Sequence, residues 1–512
     1  MNKTKVSKKI FHLGNVVIRL FFFSLMTISF FAVLSSANWL PDAHTTTWLT
    51  YLMFVVLLTL LLSWLAFPKF QSFLKNIFIK HKWGTSTFCL IIALIWQIQF
   101  VYFVHPSIGF DVSAVHNALI NPNSPNLRGY FSVNYNNLPI LLTLHEVANI
   151  VHSTSWFTMA IFSTIVTDLS AIIIILTIAI INFQKLPNIM YILACLLSLF
   201  PICMIPYTDV WCLLPISFSI LGWSIAYKKS FPLIIRFLGI ILTGVSLACG
   251  TWIKPSVAVW GIAVLLSSLL YLLKNKKIIL TSLFSITIII SFALTYQPLK
   301  KIVNTQHYII VNQKRQIPMI HFINVGLTHD GAYDPKAALA MDMLPTKKQK
   351  VTYSKKMIKK RLQQRGILGY LAFLVRKQGL NTADGTFGWL HEGHFIISRQ
   401  SKVGWKGFLS EFIYPNGKYV IEFKFITQIL WTIIISLLLF GFQKGGYTIQ
   451  TLRLALVGGF MFLLLFEGGR SRYLVQFIPI ILILATLSTD VALVNYKRIL
   501  AAIIPRKEEK HA

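Results

Sequence analysis

Residues 155–183 read SWFTMAIFSTIVTDLSAIIIILTIAIINF, and this stretch decides the fold class. Asp168 is its only charged residue. A helix that crosses a bilayer needs about 20 consecutive, mainly apolar residues, so the stretch predicts a transmembrane helix. Working outward from it, we predict eleven more spans of the same kind, at 14–36, 49–67, 86–104, 188–206, 210–227, 235–253, 256–273, 278–297, 424–442, 451–466 and 473–494.

The composition agrees with a membrane protein. The 512 residues are 55% hydrophobic and 12% charged, with a mean hydropathy of +0.66, whereas soluble domains carry roughly 25% charged residues. We therefore predict an all-α polytopic membrane protein with about twelve transmembrane helices. The net charge of +32 is accounted for by loops, so we expect no nucleic-acid partner. The five cysteines show neither metal spacing nor a paired framework.

Loop charges predict the orientation. We read the apolar run 14–36 as a retained first span rather than a cleaved signal peptide, because it is too long for one. With the N-terminus inside, the short cytoplasmic loops and termini hold 23 Lys and Arg, and the short external segments hold 4. The positive-inside rule then places both termini in the cytoplasm of a multi-pass cell-membrane protein. Residues 137–154 would reverse this bias if they spanned, so we predict an amphipathic helix at the external surface.

The spans divide the chain into four parts. Residues 1–297 form an N-terminal transmembrane module that includes an external loop at 105–154, and residues 298–423 form an external loop subdomain. Residues 424–494 form the C-terminal transmembrane helices, and residues 495–512 form a basic cytoplasmic tail.

Six ionisable residues, far apart in sequence, fall at the external face under this topology: Asp111, Asp209, Lys254, Glu467, Arg470 and Arg472. Ionisable groups at membrane depth are costly, so several of them at one face indicate a site. Carboxylates suit acid–base chemistry, and cations suit a phosphate. The combination favours an enzyme that acts on a lipid-linked phosphate, with an extracytoplasmic active site.

Three of the six have simpler interpretations as well. Asp111 precedes an apolar helical pattern, so it is either a catalytic base or a helix N-cap. Asp209 lies in a hairpin between spans, where Asp also satisfies turn amides. Lys254 stands beside Pro255 and either binds a phosphate or extends toward the membrane surface.

Two short segments add further candidates. The segment 467–473, EGGRSRY, holds three charges in six residues; Arg470 and Arg472 can grip a phosphate, with Glu467 orienting them or binding sugar. A mutually neutralising turn is the alternative. The loop 128–137, RGYFSVNYNN, is rich in aromatic and amide groups that bind sugars, and its candidates are Arg128, Tyr135, Asn136 and Asn137.

Other patterns bear on cofactors and partners. The two histidines of 391–394, HEGH, are three residues apart instead of the four of the helical zinc motif, so we expect no zinc there. Neither a Walker loop nor a dinucleotide fingerprint occurs, and we expect no nucleotide cofactor; a divalent metal stays open. The basic segment 346–377 is helix-prone and suits anionic headgroups or an anionic polymer.

Taken together and in this order, the segments 110–137, YTD at 207–209, IKP at 253–255, DGTFGW at 384–389 and 467–473 resemble the GT-C superfamily of integral membrane glycosyltransferases, in its Gram-positive bacterial branch. The resemblance implies a polyprenyl-phosphate sugar donor and transfer at the extracytoplasmic face to a cell-envelope glycan or anionic polymer. It implies a catalytic base in the first external loop, here Asp111, with Asp209 as a second acidic residue and with Lys254, Arg470 and Arg472 on the phosphate. The catalytic loop of many members follows the first span, whereas this one follows the third.

Two other classes of function stay open at the level of sequence. A lipid-linked glycan polymerase, ligase or flippase also handles polyprenyl phosphates, although a flippase is expected to carry charges along its spans, and Asp168 is the main one here. A non-catalytic protein of cell-wall assembly is the third class.

Overall fold

The computed structural model describes residues 3–39, 46–272, 278–388 and 403–503. Within these ranges the chain forms helices and no strand. The α-helices are α1 (Lys3–Leu34), α2 (Trp48–Ala66), α3 (Pro68–Lys75), α4 (Lys82–Val104), α5 (Phe110–Ile120), α6 (Pro125–Val133), α7 (Leu138–Val151), α8 (Trp156–Asn182), α9 (Leu186–Ser198), α10 (Thr208–Trp211), α11 (Leu213–Tyr227), α12 (Leu233–Ile253), α13 (Ala258–Leu272), α14 (Ile278–Thr305), α15 (Met319–Val325), α16 (Pro335–Met343), α17 (Lys347–Thr382), α18 (Gly404–Ile413), α19 (Val420–Phe440), α20 (Tyr447–Leu465) and α21 (Ile478–Ile503).

Eleven segments of the described chain are long and apolar enough to cross a membrane: Lys9–Trp39, Trp48–Ala66, Lys82–Val104, Trp156–Ser198, Thr208–Tyr227, Leu233–Ile253, Pro255–Leu272, Ile278–Thr305, Val420–Phe440, Tyr447–Leu465 and Ser471–Ala502. The fourth segment contains two helices, α8 and α9, which are separated by the 3-10 turn Phe183–Lys185. Two predicted spans therefore share one segment. The prediction of an all-α polytopic membrane protein is confirmed.

Side-chain hydrogen bonds connect neighbouring spans. Trp211 Nε1, at the end of α10, donates to Ser163 Oγ of α8 at 3.0 Å. Ser219 Oγ of α11 donates to the Thr243 carbonyl of α12 at 3.0 Å, and Trp260 Nε1 of α13 donates to Ser219 Oγ at 3.0 Å. Because hydrocarbon offers no hydrogen-bonding partners, polar groups inside a membrane domain are satisfied across helix interfaces in this way.

The loop 105–154 folds into three short helices, α5 to α7. The predicted amphipathic helix is present as α7, whose 14 residues correspond to about 21 Å, less than the roughly 30 Å hydrocarbon core. Its buried side Leu138, Ile140, Leu141 and Leu144 packs on the protein. The position of α7 at the membrane surface stays a prediction.

The region 298–423 does not begin where the sequence indicates. Helix α14 continues through Pro298 to Thr305, because one proline removes a single backbone donor and need not end a helix. The long helix α17 then packs against the spans α1 and α20, and α18 packs against α4 and α19. The region 298–423 therefore packs against the membrane-spanning helices. Residues 504–512 of the predicted basic tail lie outside the described residues.

Candidate functional site

A buried carboxylate lies at the centre of the predicted cluster. Asp209, in the first turn of the short helix α10, is 3% exposed. One carboxylate oxygen pairs with Lys254 Nζ, and the other lies 3.4 Å from Arg472 Nε. The structure therefore brings together three residues that come from separate spans. Two cations on one carboxylate leave this group with a formal excess of one positive charge.

The local sequence at Lys254 explains why this cation points into the site. Helix α12 ends at Ile253, Lys254 takes an extended backbone conformation, and Pro255 starts a 3-10 turn. The lysine side chain is 16% exposed and reaches Asp209. The alternative of a lysine that extends toward the membrane surface does not describe its conformation.

Asp111 is held by tyrosine hydroxyls and is not a helix cap. Gly109 occupies the N-cap position of α5, and Asp111 lies in the first turn. Tyr130 Oη donates to Asp111 Oδ1 at 2.7 Å, and Tyr207 Oη lies 3.2 Å from both Asp111 Oδ2 and Asn137 Oδ1. Asn137 Nδ2 closes the ring by donating to Tyr130 Oη at 2.6 Å. Burial, followed by the charge of Asp111, raises the pKa of Tyr130 and Tyr207, so both hydroxyls stay protonated donors.

Aromatic rings connect Asp111 to the cation cluster. The Arg472 guanidinium lies 5.7 Å from the ring centre of Tyr207 and 5.3 Å from that of Tyr473. Lys254 Nζ lies 5.6 Å from the Tyr473 ring. Tyr473 Oη in turn donates to Glu467 Oε1 at 2.6 Å, and burial raises the pKa of Glu467. One continuous cluster of side chains therefore contains the base candidate Asp111, the two cations and the carboxylate of Glu467.

The turn that carries Arg470 is fixed by residues of α17. Lys377 Nζ donates to the carbonyls of Leu464 and Phe466 at 3.1 and 2.7 Å, and Asn381 Oδ1 accepts from Gly469 N at 2.7 Å. Gly469 has a φ of +74°, and a Cβ there would lie 2.1 Å from the Asp330 carbonyl oxygen. Only glycine fits this position, which explains the GG pair of the EGGRSRY segment.

Two groups of the region 298–423, Asp330 and Tyr333, interact electrostatically with residues of the cluster. Burial lowers the pKa of Arg470, whereas the charges of Tyr473 and Asp330 raise it. The ring of Tyr333 is 57% exposed. Burial, then the charges of Asp111 and Glu467, raise its pKa. Tyr333 is therefore exposed and within electrostatic reach of both carboxylates.

Three of the predicted loop candidates make no hydrogen bond to Asp111 within the described part of the chain. Arg128 Nη2 donates to Asn123 Oδ1 at 2.7 Å. Tyr135 Oη donates to Asn304 Oδ1 at 3.0 Å and accepts from Gln313 Nε2 at 3.1 Å. Asn136 is exposed and donates to Asn137 Oδ1 at 3.2 Å. Of the four loop candidates, Asn137 alone joins the Asp111 ring directly.

Sequence reasoning missed the residues that connect the cluster, namely Tyr130, Tyr207 and Tyr473. Each is close in sequence to a predicted charged residue, and each combines a ring with a hydroxyl group. A buried tyrosine generally finds a hydrogen-bond partner. Tyrosines close in sequence to candidate charged residues were therefore the available signal.

The described part of the chain contains no group of three or more His, Cys, Asp or Glu side chains that could hold a metal ion. His391 and His394 of the HEGH segment lie outside the described residues, as does Trp389. Asp384 binds its own turn, accepting from Thr386 N at 2.8 Å, and its backbone N donates to Ser471 Oγ at 3.1 Å. The segment 384–388 thus supports the residue next to Arg472.

The fold and the ionisable cluster at the helix ends define a polytopic, all-α integral membrane protein. Comparison with protein families makes this more particular: the chain belongs to the family described as conserved hypothetical integral membrane protein, which matches residues 10–493. Among curated proteins no match is found. No solved structure matches the chain either.

Proposed function

We propose that this protein is a membrane glycosyltransferase that moves a sugar from a polyprenyl-phosphate donor to a cell-envelope acceptor. One observation carries the proposal: a single tyrosine separates the Asp111 carboxylate from the Arg472 guanidinium. Tyr207 Oη lies 3.2 Å from Asp111, while Arg472 lies 5.7 Å from the Tyr207 ring. A base and a leaving-group clamp at this spacing suit glycosyl transfer from a lipid phosphate.

In the proposed reaction Asp111 takes the proton of the acceptor hydroxyl, and the acceptor oxygen forms a bond to the anomeric carbon. The bond between that carbon and the phosphate oxygen breaks, and its electron pair stays on the lipid phosphate. The excess positive charge of Lys254 and Arg472 over Asp209, with Arg470 beside them, stabilises the developing anion. Electrostatic stabilisation of this kind is usually the largest catalytic contribution.

The other groups have supporting roles in this proposal. Asp209 holds both cations in place, because each of its oxygens faces one of them. Tyr130, Tyr207 and Asn137 orient the Asp111 carboxylate. The exposed rings of Tyr333 and Phe110 supply surfaces on which a sugar can stack. We place the site on the extracytoplasmic face on the basis of the loop charges.

The test is sugar transfer in membrane vesicles supplied with several polyprenyl-phosphate sugars. For Asp111→Asn we expect a loss of about 10²–10⁴-fold, the usual contribution of a general base. The matched control is Asp342→Asn, because Asp342 pairs with Arg315 at the surface and is half exposed; transfer should stay at the wild-type level. Full transfer by correctly inserted Asp111→Asn protein would overturn the assignment of the base.

Wild-type protein that transfers none of the sugars would contradict the glycosyltransferase proposal itself. The remaining classes would then be a lipid-linked glycan polymerase, ligase or flippase, and a non-catalytic assembly protein. A lipid-translocation assay on the same vesicles separates the flippase from the others.

A further inference from the structure

Helix α17 carries two different sets of cations. The inward set donates to backbone carbonyls of the region 298–423 and of α20. Arg365 Nη2 donates to the Leu327 and Thr328 carbonyls at 3.2 and 3.3 Å, and Lys377 Nζ donates to the Gly326 carbonyl at 2.8 Å. Lys350 donates to the carbonyl of Arg315. These cations are structural and are not available to a partner.

The outward set consists of six exposed lysines in the first half of the helix: Lys347, Lys348, Lys355, Lys356, Lys359 and Lys360. We name them the lysine face. Among the described residues none of them has a carboxylate partner, and α17 itself contains no Asp or Glu. Residues four apart on a helix are neighbours, so Lys355 and Lys359, and Lys356 and Lys360, stand side by side and repel each other. A polyanion from outside the chain would relieve this repulsion.

An apolar face follows the lysine face along the same helix. Gly366 (φ +62°) interrupts the helical backbone, a conformation that favours glycine. After it, Ile367, Leu368, Leu371 and Val375 are 82%, 81%, 53% and 51% exposed. Ile367, Leu371 and Val375 are spaced by four residues and therefore lie on one side of the helix. Four large apolar side chains so strongly exposed need a non-aqueous environment.

The end of α17 packs against two of the candidate membrane spans. Gln378 Nε2 donates to Ser29 Oγ of α1 at 3.0 Å, and Trp431 Nε1 of α19 donates to the Thr382 carbonyl at 2.7 Å. Both α1 and α19 are candidate spans. The apolar face starts at Ile367, eleven residues before Gln378 and about 17 Å away along the helix. The helix therefore runs from the region 298–423 down into the membrane domain, and its apolar face lies between them.

We propose that α17 enters the leaflet on the site side of the membrane, where the apolar face contacts acyl chains and the lysine face binds the phosphates of anionic lipids. This goes beyond the proposed glycosyl transfer. A basic segment next to an apolar helical face is the arrangement of interfacial helices. A soluble anionic polymer would match the lysines equally well but would leave the four apolar side chains in water. A bilayer provides acyl chains for the apolar face and headgroup phosphates for the lysine face.

The apolar face is tested by labelling with a charged maleimide in nanodiscs, using full-length protein whose five native cysteines are replaced by serine. Leu368→Cys is compared with Gln364→Cys, an exposed position on the same helix. A thiolate is disfavoured in apolar surroundings, so we expect labelling of Leu368→Cys to be at least about tenfold slower. Equal labelling rates would overturn the insertion of α17.

The lysine face is tested by native mass spectrometry of the detergent-purified full chain with added phosphatidylglycerol or phosphatidylcholine. The variant replaces Lys355, Lys356, Lys359 and Lys360 with Gln. The matched control replaces four exposed lysines of the neighbouring region, Lys300, Lys301, Lys314 and Lys336. We expect only the first variant to lose the preference for phosphatidylglycerol, and this result would support the proposal.

A soluble poly(glycerol phosphate) identifies the competing occupant in the same experiment. If the first variant kept its lipid preference but lost binding of this polymer, the lysine face would be a polymer site and the lipid proposal would be overturned. The outcome does not depend on glycosyl transfer, so it fails or succeeds separately from the proposed function.

Discussion

The cations of the Asp209 cluster and those of the lysine face are of the same chemical kind but are in opposite situations. Lys254 and Arg472 are mostly buried and share one carboxylate, whereas the six lysines of α17 are exposed and have no carboxylate partner in the described part of the chain. In the sequence, both regions are recognised only by their high density of charged residues. The Asp209 cluster is buried and paired within the protein, whereas the lysine face is exposed and, in our proposal, binds an external anion.

The largest effect is expected when the Asp209 carboxylate, which Lys254 and Arg472 share, is removed. In Asp209→Ala protein, two largely buried cations lose their counter-charge, and breaking a buried pair in this way costs about 3–5 kcal/mol. We expect a sharp drop in thermal stability in detergent and in the amount of inserted protein. Asp342→Ala is the control, because its half-exposed pair with Arg315 is worth about 0–1 kcal/mol. Equal losses in the two variants would mean that the cluster is not buried as described.

Acidification tests a second buried group. His321 is 4% exposed, and burial, together with the charge of Arg361, lowers its pKa to about 4 despite the opposing charge of Asp334; Lys350 adds to the lowering. Since the unfolded value is higher, neutral His321 stabilises the fold above about pH 6.5, and this stability is lost as the pH falls toward 4, by about 3 kcal/mol at most.

Hydrogen–deuterium exchange of α15 and α16 at pH 7 and pH 5 measures this loss. Rates are expressed as protection factors, which remove the pH dependence of the intrinsic amide exchange, and we expect lower protection at pH 5 in the wild type. In the control His321→Gln, which has no titratable group at this position, the protection factors of these helices should be the same at both pH values. A variant that opened at pH 5 as the wild type does would show that another group is responsible.

A smaller effect is expected for the ring around Asp111. Tyr130→Phe removes a hydrogen bond to a charged acceptor, which is worth about 2 kcal/mol. Tyr135→Phe is the natural comparison, because its hydroxyl contacts the neutral Asn304 and Gln313 and should cost about 1 kcal/mol. Unfolding curves of both variants measure the difference, and the reverse order would argue against a charged Asp111 in this ring.

The smallest effect is expected on the lysine face. Lys355→Gln should change the free energy of unfolding in detergent by less than about 0.5 kcal/mol, because exposed substitutions away from packed groups rarely do more. A small stabilisation is the expected sign, since one repulsive i, i+4 pair with Lys359 disappears. A loss of several kcal/mol would show that this lysine is part of the packed structure.

The sequence was sufficient for the fold class, because apolar runs of span length leave few alternatives to transmembrane helices. It also indicated one group of six ionisable residues, since the predicted loop topology places them at one side: Asp111, Asp209, Lys254, Glu467, Arg470 and Arg472. The ends of the helices were harder to predict from the sequence. Pro298, for example, lies inside α14 and does not end it.

The contacts within the site could not be predicted, because they join residues hundreds of positions apart. Nothing local says that Tyr207 bridges Asp111 and Arg472, or that Lys377 of the basic segment is fully buried and holds the turn after α20. The sequence does not distinguish a lysine whose ammonium group donates to carbonyls inside the protein from one whose ammonium group is hydrated at the surface. Tertiary packing decides between them.

The pairing of Asp209 with two cations from later in the chain has a consequence for biosynthesis. A ribosome delivers the α10 turn first, the Lys254 turn 45 residues later, and Arg472 only when α21 begins to emerge. Until then the translocating chain holds an anion without its full set of partners. A chain that ended before Arg472 would leave Asp209 with only one of its two cations, so that completion of translation and assembly of the cluster coincide.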